Sequence, residues 1–197
     1  MEKWKHNYID NLDLSKIEWL KLSSGELEAF YNSNYIDRDL WQYVSNKDNT
    51  AFHTPIGLRY LTFDTCDKYN YLIGIVENNI GKNTIVAAMV YIDEYHMFVN
   101  QREPFTYIST MEVNSYFWNM GIFKELCKAT LQIIKNQHVL VTRESEMGEK
   151  CHVLANFRKI LLESGFDKEI IVDDSSSSTI NRLSQLAREK EKVKIKV

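Results

Sequence analysis

The residues best placed to do chemistry lie in one stretch, from Phe105 to Ile134. It opens as a strand, since Thr106, Tyr107, Ile108, Met111 and Val113 have the β-branched and aromatic character that suits a pleated, half-buried surface. It ends as a helix. From Ile122 onward the apolar residues Ile122, Phe123, Leu126, Cys127, Ala129, Ile133 and Ile134 fall on one face, with Lys124, Glu125, Lys128 and Gln132 largely opposite. Between them, Trp118-Asn119-Met120-Gly121-Ile122-Phe123 is expected to be a strand-to-helix turn. Such a turn aims several main-chain N–H groups outward at the positive end of the helix dipole, and that arrangement binds phosphate without any particular side chain. An anion hole built from the amides of Asn119 to Lys124 is therefore the first functional expectation. The competing explanation is an ordinary turn whose only special residue is a glycine.

The elements that must hold this turn can be read on either side of it. Upstream, Tyr71 to Glu77 and Thr84 to Ile92 are two β-rich runs separated by Asn78-Asn79-Ile80-Gly81-Lys82-Asn83, the composition of a hairpin turn. Further back, Lys16 to Ser23 is expected as a first strand, followed by a short helix from Gly25 with Leu27, Phe30 and Tyr31 on one side, and by a helical turn or two over Arg38 to Val44. Asn46 to Pro55 is a loop that contains a solitary His53, Ile56 to Phe63 a weak strand, and Asp93 to Pro104 a connector. Downstream, Asn136 is expected to stop the helix in a left-handed conformation, and His138 to Thr142 to form a fifth strand. Arg143 to Lys150 is a loop, Cys151 to Glu163 a helix stopped at Gly165, and Lys168 to Val172 another strand. The rings Phe30, Tyr31, Tyr35, Trp41, Tyr43, Phe52 and Tyr60 suit either a core wall or an aromatic pocket.

Two motifs in this order resemble a known family. The run Val113-Asn114-Ser115-Tyr116-Phe117-Trp118-Asn119-Met120-Gly121-Ile122-Phe123 is similar, without a gap, to the signature of the GCN5-related N-acetyltransferases, in which a strand ending V-x-P leads into Q/R-x-x-G-x-G/A and a helix. Asn156 to Phe166 resembles that family's late helix, which ends in a Gly-Phe pair. The likeness covers roughly Tyr71 to Val172, with Ser115 in place of the usual proline, Trp118 in place of Gln/Arg, and Phe123 in place of the second small residue. It implies one domain over residues 1–197, with a helical insertion or extension at about 175–191. The implied fold is α+β, with a mixed, mostly antiparallel twisted sheet flanked by helices. It further implies acetyl-CoA as co-substrate, with its pyrophosphate on Trp118, Asn119, Met120, Gly121, Ile122, Phe123 and Lys124 and its carbonyl polarised near Met111 and Val113. The family often uses a strand glutamate as base, which brings forward Glu112, with Tyr107 as the second candidate on the same strand. Strict alternation places Glu112 and Val113 on opposite faces, and a bulge would exchange them. The family's tyrosine acid, four residues before the glycine of the Gly-Phe pair, falls on Leu161. The implied acceptor is a small-molecule or peptide amine. A homodimer is an open alternative, as is a relative that has kept the groove for binding and lost catalysis.

Composition narrows the remaining classes. At 197 residues, 44% hydrophobic and 26% charged, the chain has the make-up of a globular domain. A net charge of −3 argues against bulk electrostatic capture of nucleic acid. No apolar run approaches the ~20 residues of a membrane span, and the N-terminal sequence lacks an apolar signal core, so a cytoplasmic protein is expected. Cys66, Cys127 and Cys151 are widely spaced and outside any CxxC pair, which favours reduced thiols over a disulfide or a metal site. The C-terminus allows a third functional class, since Arg182 to Val197 holds six basic residues against two acidic, a tail suited to nucleic acid or acidic partners. Yet Val193, Ile195 and Val197 alternate strictly with lysines, which is the period of a strand over Lys192 to Val197, and the resemblance implies that this strand returns beside the fifth one.

Overall fold

The computed structural model describes residues 12–33, 68–114, 117–142, 152–167 and 169–188. Its strands, in chain order, are β1 (Glu18–Ser23), β2 (Asn70–Glu77), β3 (Asn83–Tyr95), β4 (Phe105–Val113), β5 (His138–Thr142) and β6 (Glu169–Asp173). Its helices are α1 (Ser24–Asn32), α2 (Ile122–Leu131), α3 (Val153–Glu163) and α4 (Ser177–Leu186). Among the described residues the sheet has six strands, in the order β1-β2-β3-β4-β5-β6. β1 pairs antiparallel with β2, from Glu18 opposite Ile75 to Ser23 opposite Asn70, whereas β5 pairs parallel with both β4 and β6. The fold class is therefore the expected one, α+β with a mixed sheet and flanking helices. The chain divides into two compact units, Met1–Val90 with Thr110–Thr130, and Tyr91–Ser109 with Leu131–Val197.

In the first unit, Leu27, Tyr71, Ile73, Ile75, Ile85, Ala88 and Val90 form a buried cluster, and Leu20, Leu22, Phe30 and Tyr69 pack on it. The expected hairpin is present, and its turn is organised by Asn78. The Asn78 side-chain oxygen accepts from the amides of Ile80 and Lys82 at 3.1 and 3.0 Å, and its amide donates to Thr84 Oγ1 at 3.2 Å. α1 starts on a capping box: the Ser23 amide donates to Glu26 Oε2 at 2.7 Å and the Glu26 amide donates back to Ser23 Oγ. The Ser23 amide and, after it, the Ser23 hydroxyl donate to the Glu26 carboxylate and hold it below its ordinary range.

In the second unit, Phe105, Leu140, Ile171, Leu183, Leu186 and Ala187 form the core. Three details differ from expectation. α2 stops at Leu131, so Ile133 and Ile134 are buried beyond the helix and not on its stripe. Asn136 has no left-handed backbone; its side-chain amide donates instead to the Asp93 carbonyl and, at 3.1 Å, to Thr106 Oγ1, so a tertiary bond takes the place of the C-cap. The neighbour of β5 is Glu169–Asp173, so the place expected for a returning C-terminal strand is held by the strand directly after α3. The expectations for Arg38–Val44, Asn46–Pro55 with His53, Ile56–Phe63, Arg143–Lys150 and Lys192–Val197 lie outside the described residues.

The end of α3 follows its sequence closely. Gly165 has φ +81°, its N–H donates to Leu162 O at 3.0 Å and the Phe166 N–H donates to Leu161 O at 3.0 Å, the paired bonds of a Schellman stop. Leu161 is fully buried, so a packing side chain fills the position at which the resemblance implies an acid.

Candidate functional site

The predicted strand–turn–helix is present. β4 ends at Val113, a turn containing Phe117 to Gly121 follows, and α2 begins at Ile122. Two of the turn's residues lie in the left-handed region, Asn119 at φ +64° and Gly121 at φ +83°. A Cβ built on Gly121 would also come 3.2 Å from Leu14 Cδ1, so a side chain there is both strained and crowded. The turn is open to solvent, with Trp118 52% and Met120 42% exposed. The Lys124 N–H donates to the Gly121 carbonyl at 3.1 Å, and the amides of Gly121, Ile122 and Phe123 stand ahead of the helix's own ladder. In the first turn of α2 the carboxylate Glu125 is engaged by Lys128 at 2.8 Å. Lys124 is exposed beside it. The exposed turn residues Trp118 to Gly121, the positive helix end and an exposed lysine together offer donors of the kind that a diphosphate takes. Phe123 is half-buried, neither in the core nor fully exposed.

The residue that sets the strand's end is Asn114, which the sequence did not mark. It is 1% exposed; its N–H donates to Val86 O at 2.9 Å, its side-chain amide donates to Ile85 O at 3.1 Å, and its carbonyl accepts from the Phe117 N–H at 2.9 Å. These bonds tie the exit of β4 to β3 and start the turn. They also orient the neighbouring peptide group. In a trans peptide the C=O of Val113 points opposite to the N–H of Asn114, so it faces the edge of β4 away from β3. In a strand the N–H and C=O of one residue face the same edge, so the Val113 N–H faces that edge too. The Val113 carbonyl accepts there from Trp118 Nε1 at 2.9 Å.

Glu112 and Met111 are half-buried on β4, directly before Val113. Tyr107 lies in the second unit. Its phenol shares a 2.9 Å hydrogen bond with Thr142 Oγ1, and its ring stacks on Tyr95 with centroids 4.7 Å apart. The pairing of β4 with β5 runs from Thr106 opposite Val139 to Ile108 opposite Val141, and Thr142 Oγ1 also lies 3.3 Å from the Ile108 carbonyl as a donor. Cys127 is wholly buried and burial pushes its thiol up to about 12, so it is a core side chain and no nucleophile. Two shallow concavities of the second unit lie along α4 at Asn181, Ser184, Gln185 and Arg188 and against Phe98 to Arg102, and include none of the turn's residues. Among the described residues no group of three or more His, Cys, Asp or Glu could hold a metal ion, and no helix is long and apolar enough to cross a membrane.

No known family profile matches the chain, and no curated protein does. Similar solved structures include an aminoglycoside acetyltransferase from an uncultured soil metagenomic sample in complex with trehalose, at 16% identity and TM-score 0.38 over 90% of this chain and 92% of that one. The aminoglycoside N-acetyltransferase AAC(6')-Iy with a bisubstrate CoA analogue is similar at 15% identity and TM-score 0.30, over 89% and 91% of the two chains. A ribosomal-protein-alanine N-acetyltransferase from Brucella melitensis biovar Abortus 2308 is similar at 10% identity and TM-score 0.32, over 89% and 93%.

Proposed function

We propose that the protein is an acetyl-CoA-dependent N-acetyltransferase of the GCN5-related type, acting on the primary amine of a small molecule or peptide. The observation that carries this reading is the turn after β4: a solvent-exposed stretch from Trp118 to Gly121 leading into α2, with Gly121 at φ +83° where a side chain is strained and crowded. In this reading the main chain from Asn119 to Phe123 holds the pyrophosphate, the Lys124 N–H being spent on the Gly121 carbonyl, and acetyl-CoA, when bound, supplies an acetyl group activated as a thioester. The Val113 N–H, on the edge of β4 away from β3, donates to the carbonyl oxygen on which negative charge develops, with Met111 beside it on the same strand. Glu112 is the first candidate to take the proton that the attacking amine must lose, directly or through a water. Tyr107 is the second, and its phenol is held in a hydrogen bond with Thr142 Oγ1.

A specific observation favours a second reading, in which the fold binds the cofactor and does not turn over. Leu161 is fully buried where the resemblance implies the acid that protonates the leaving thiolate. Thermal denaturation with acetyl-CoA, followed by an assay against a panel of amines, separates the readings. A ligand at 100 times its dissociation constant stabilises by about 2.7 kcal/mol. A stabilisation with turnover supports the transferase, a stabilisation without turnover supports the binding protein, and no stabilisation contradicts both.

A further inference from the structure

We infer that the Trp118 indole is a determinant of cofactor affinity that competes with the ligand for the Val113 carbonyl. The inference rests on the reading above and concerns a side chain, where that reading used only the main chain. Asn114 directs its N–H to Val86 at 2.9 Å, so the Val113 carbonyl faces the opposite edge of β4, and Trp118 Nε1 caps it at 2.9 Å. Among the described residues the pairing of β4 with β5 ends at Ile108 opposite Val141, and a strand end with an outward carbonyl and N–H is a surface on which an extended amide chain pairs. Coenzyme A carries such a chain, because its pantetheine arm contains two secondary amides. An arm that runs from a diphosphate at the turn along this edge meets the Val113 carbonyl with its acceptor already engaged. The two hydrogen bonds at the end of β4 differ in what breaking them costs. The bonds of Asn114 are buried, and breaking one leaves a desolvated group without a partner. Trp118 is 52% exposed, so both its N–H and the carbonyl it releases can be met by water. The first is a fixed pin and the second a reversible latch. The position is also one where the resembling signature carries Gln or Arg, so the indole is a feature of this chain.

The test compares coenzyme A with adenosine 3′-phosphate 5′-diphosphate, which keeps the pyrophosphate and lacks the arm, by calorimetry on the parent protein and on Trp118→Phe. The phenylalanine keeps an aromatic ring and removes the donor. The variant is expected to bind coenzyme A roughly 3- to 10-fold more tightly, the range expected for one exposed hydrogen bond that no longer has to be displaced, and to bind the arm-less ligand as the parent does. A second measurement uses the unmodified chain: the indole N–H resonance of Trp118, identified by its loss in the variant, should move on saturation with coenzyme A and stay in place with the arm-less ligand. Equal or weaker binding of coenzyme A by the variant, equal shifts in affinity for both ligands, or an indole resonance indifferent to coenzyme A would each overturn the latch. Failure of the parent to bind coenzyme A at all would overturn the acetyltransferase reading, and the latch with it.

Discussion

The main-chain N–H of Asn114 donates to the carbonyl of Val86 at 2.9 Å, and this single bond decides which edge of β4 presents Val113. Asn114→Ala keeps the backbone bond and removes the side-chain donor to Ile85 O, which leaves a buried carbonyl with one partner fewer. The expected loss is about 1–3 kcal/mol, measured by urea denaturation, together with weaker binding of acetyl-CoA because the turn loses its anchor. A variant as stable as the parent would show that the side chain is incidental.

Gly165→Ala tests the stop of α3 in isolation. No atom lies within 4 Å of a Cβ at that position, so the cost is conformational alone, about 1–2 kcal/mol for a left-handed residue that gains a side chain. Unchanged stability in thermal or urea unfolding would contradict the Schellman assignment.

Much of this is legible in the sequence, and for a physical reason. The hairpin, the helical stripe from Ile122, Gly121 and the Gly165-Phe166 stop are local features, in which a residue's own conformational preference or its spacing to near neighbours decides the outcome. Ser23 and Glu26 form a box of the same local kind, and the S-x-x-E spacing would have placed the start of α1 at Ser24. What stayed hidden depends on partners distant in sequence. Asn114 meets Ile85 and Val86, Asn136 meets Asp93 and Thr106, and Tyr107 meets Thr142. Nothing about an isolated asparagine distinguishes a buried pin from a helix stop, which is why Asn136 read as a left-handed cap. The alternation in Lys192-Val193-Lys194-Ile195-Lys196-Val197 shows a strand period but not its neighbour, and β6 pairs with β5.

Acid titration should reveal the turn before α4. Amide and hydroxyl donors from Ser176, then Thr179, hold the Asp174 carboxyl down at about 2. Because the folded value lies below the ordinary 3.8, its contribution to stability is complete above that ordinary value and is lost as the pH falls towards about 2. Carbon-detected NMR should give a midpoint near 2 for Asp174, and Asp174→Asn should flatten that part of the acid limb. A midpoint near 3.8 would contradict the hydrogen-bonded turn.

Thiol labelling should separate Cys127 from any reactive cysteine. With its thiol fully buried and pushed up to about 12, Cys127 should resist alkylation at pH 8 in the native protein and react only after unfolding, as read by peptide mass spectrometry. Rapid native labelling would show that α2 does not pack as described.

Kinetics distinguish the proposed bases. Glu112→Gln should lower turnover by ~10²-fold or more with little change in cofactor affinity, whereas Tyr107→Phe keeps the stack on Tyr95 and should cost little. An unchanged pH–rate profile in Glu112→Gln would remove that residue and turn attention to Tyr107 or an ordered water.

The proposed binding of the acetyl-CoA diphosphate at the Gly121 turn is measured by calorimetric titration of the parent and of Gly121→Val. The parent should bind one acetyl-CoA per chain, and the variant, with a branched side chain at φ +83° and against Leu14, should bind at least about tenfold more weakly while its circular dichroism remains that of the parent. A folded Gly121→Val protein that binds acetyl-CoA as tightly as the parent, or a parent that shows no binding, would contradict it.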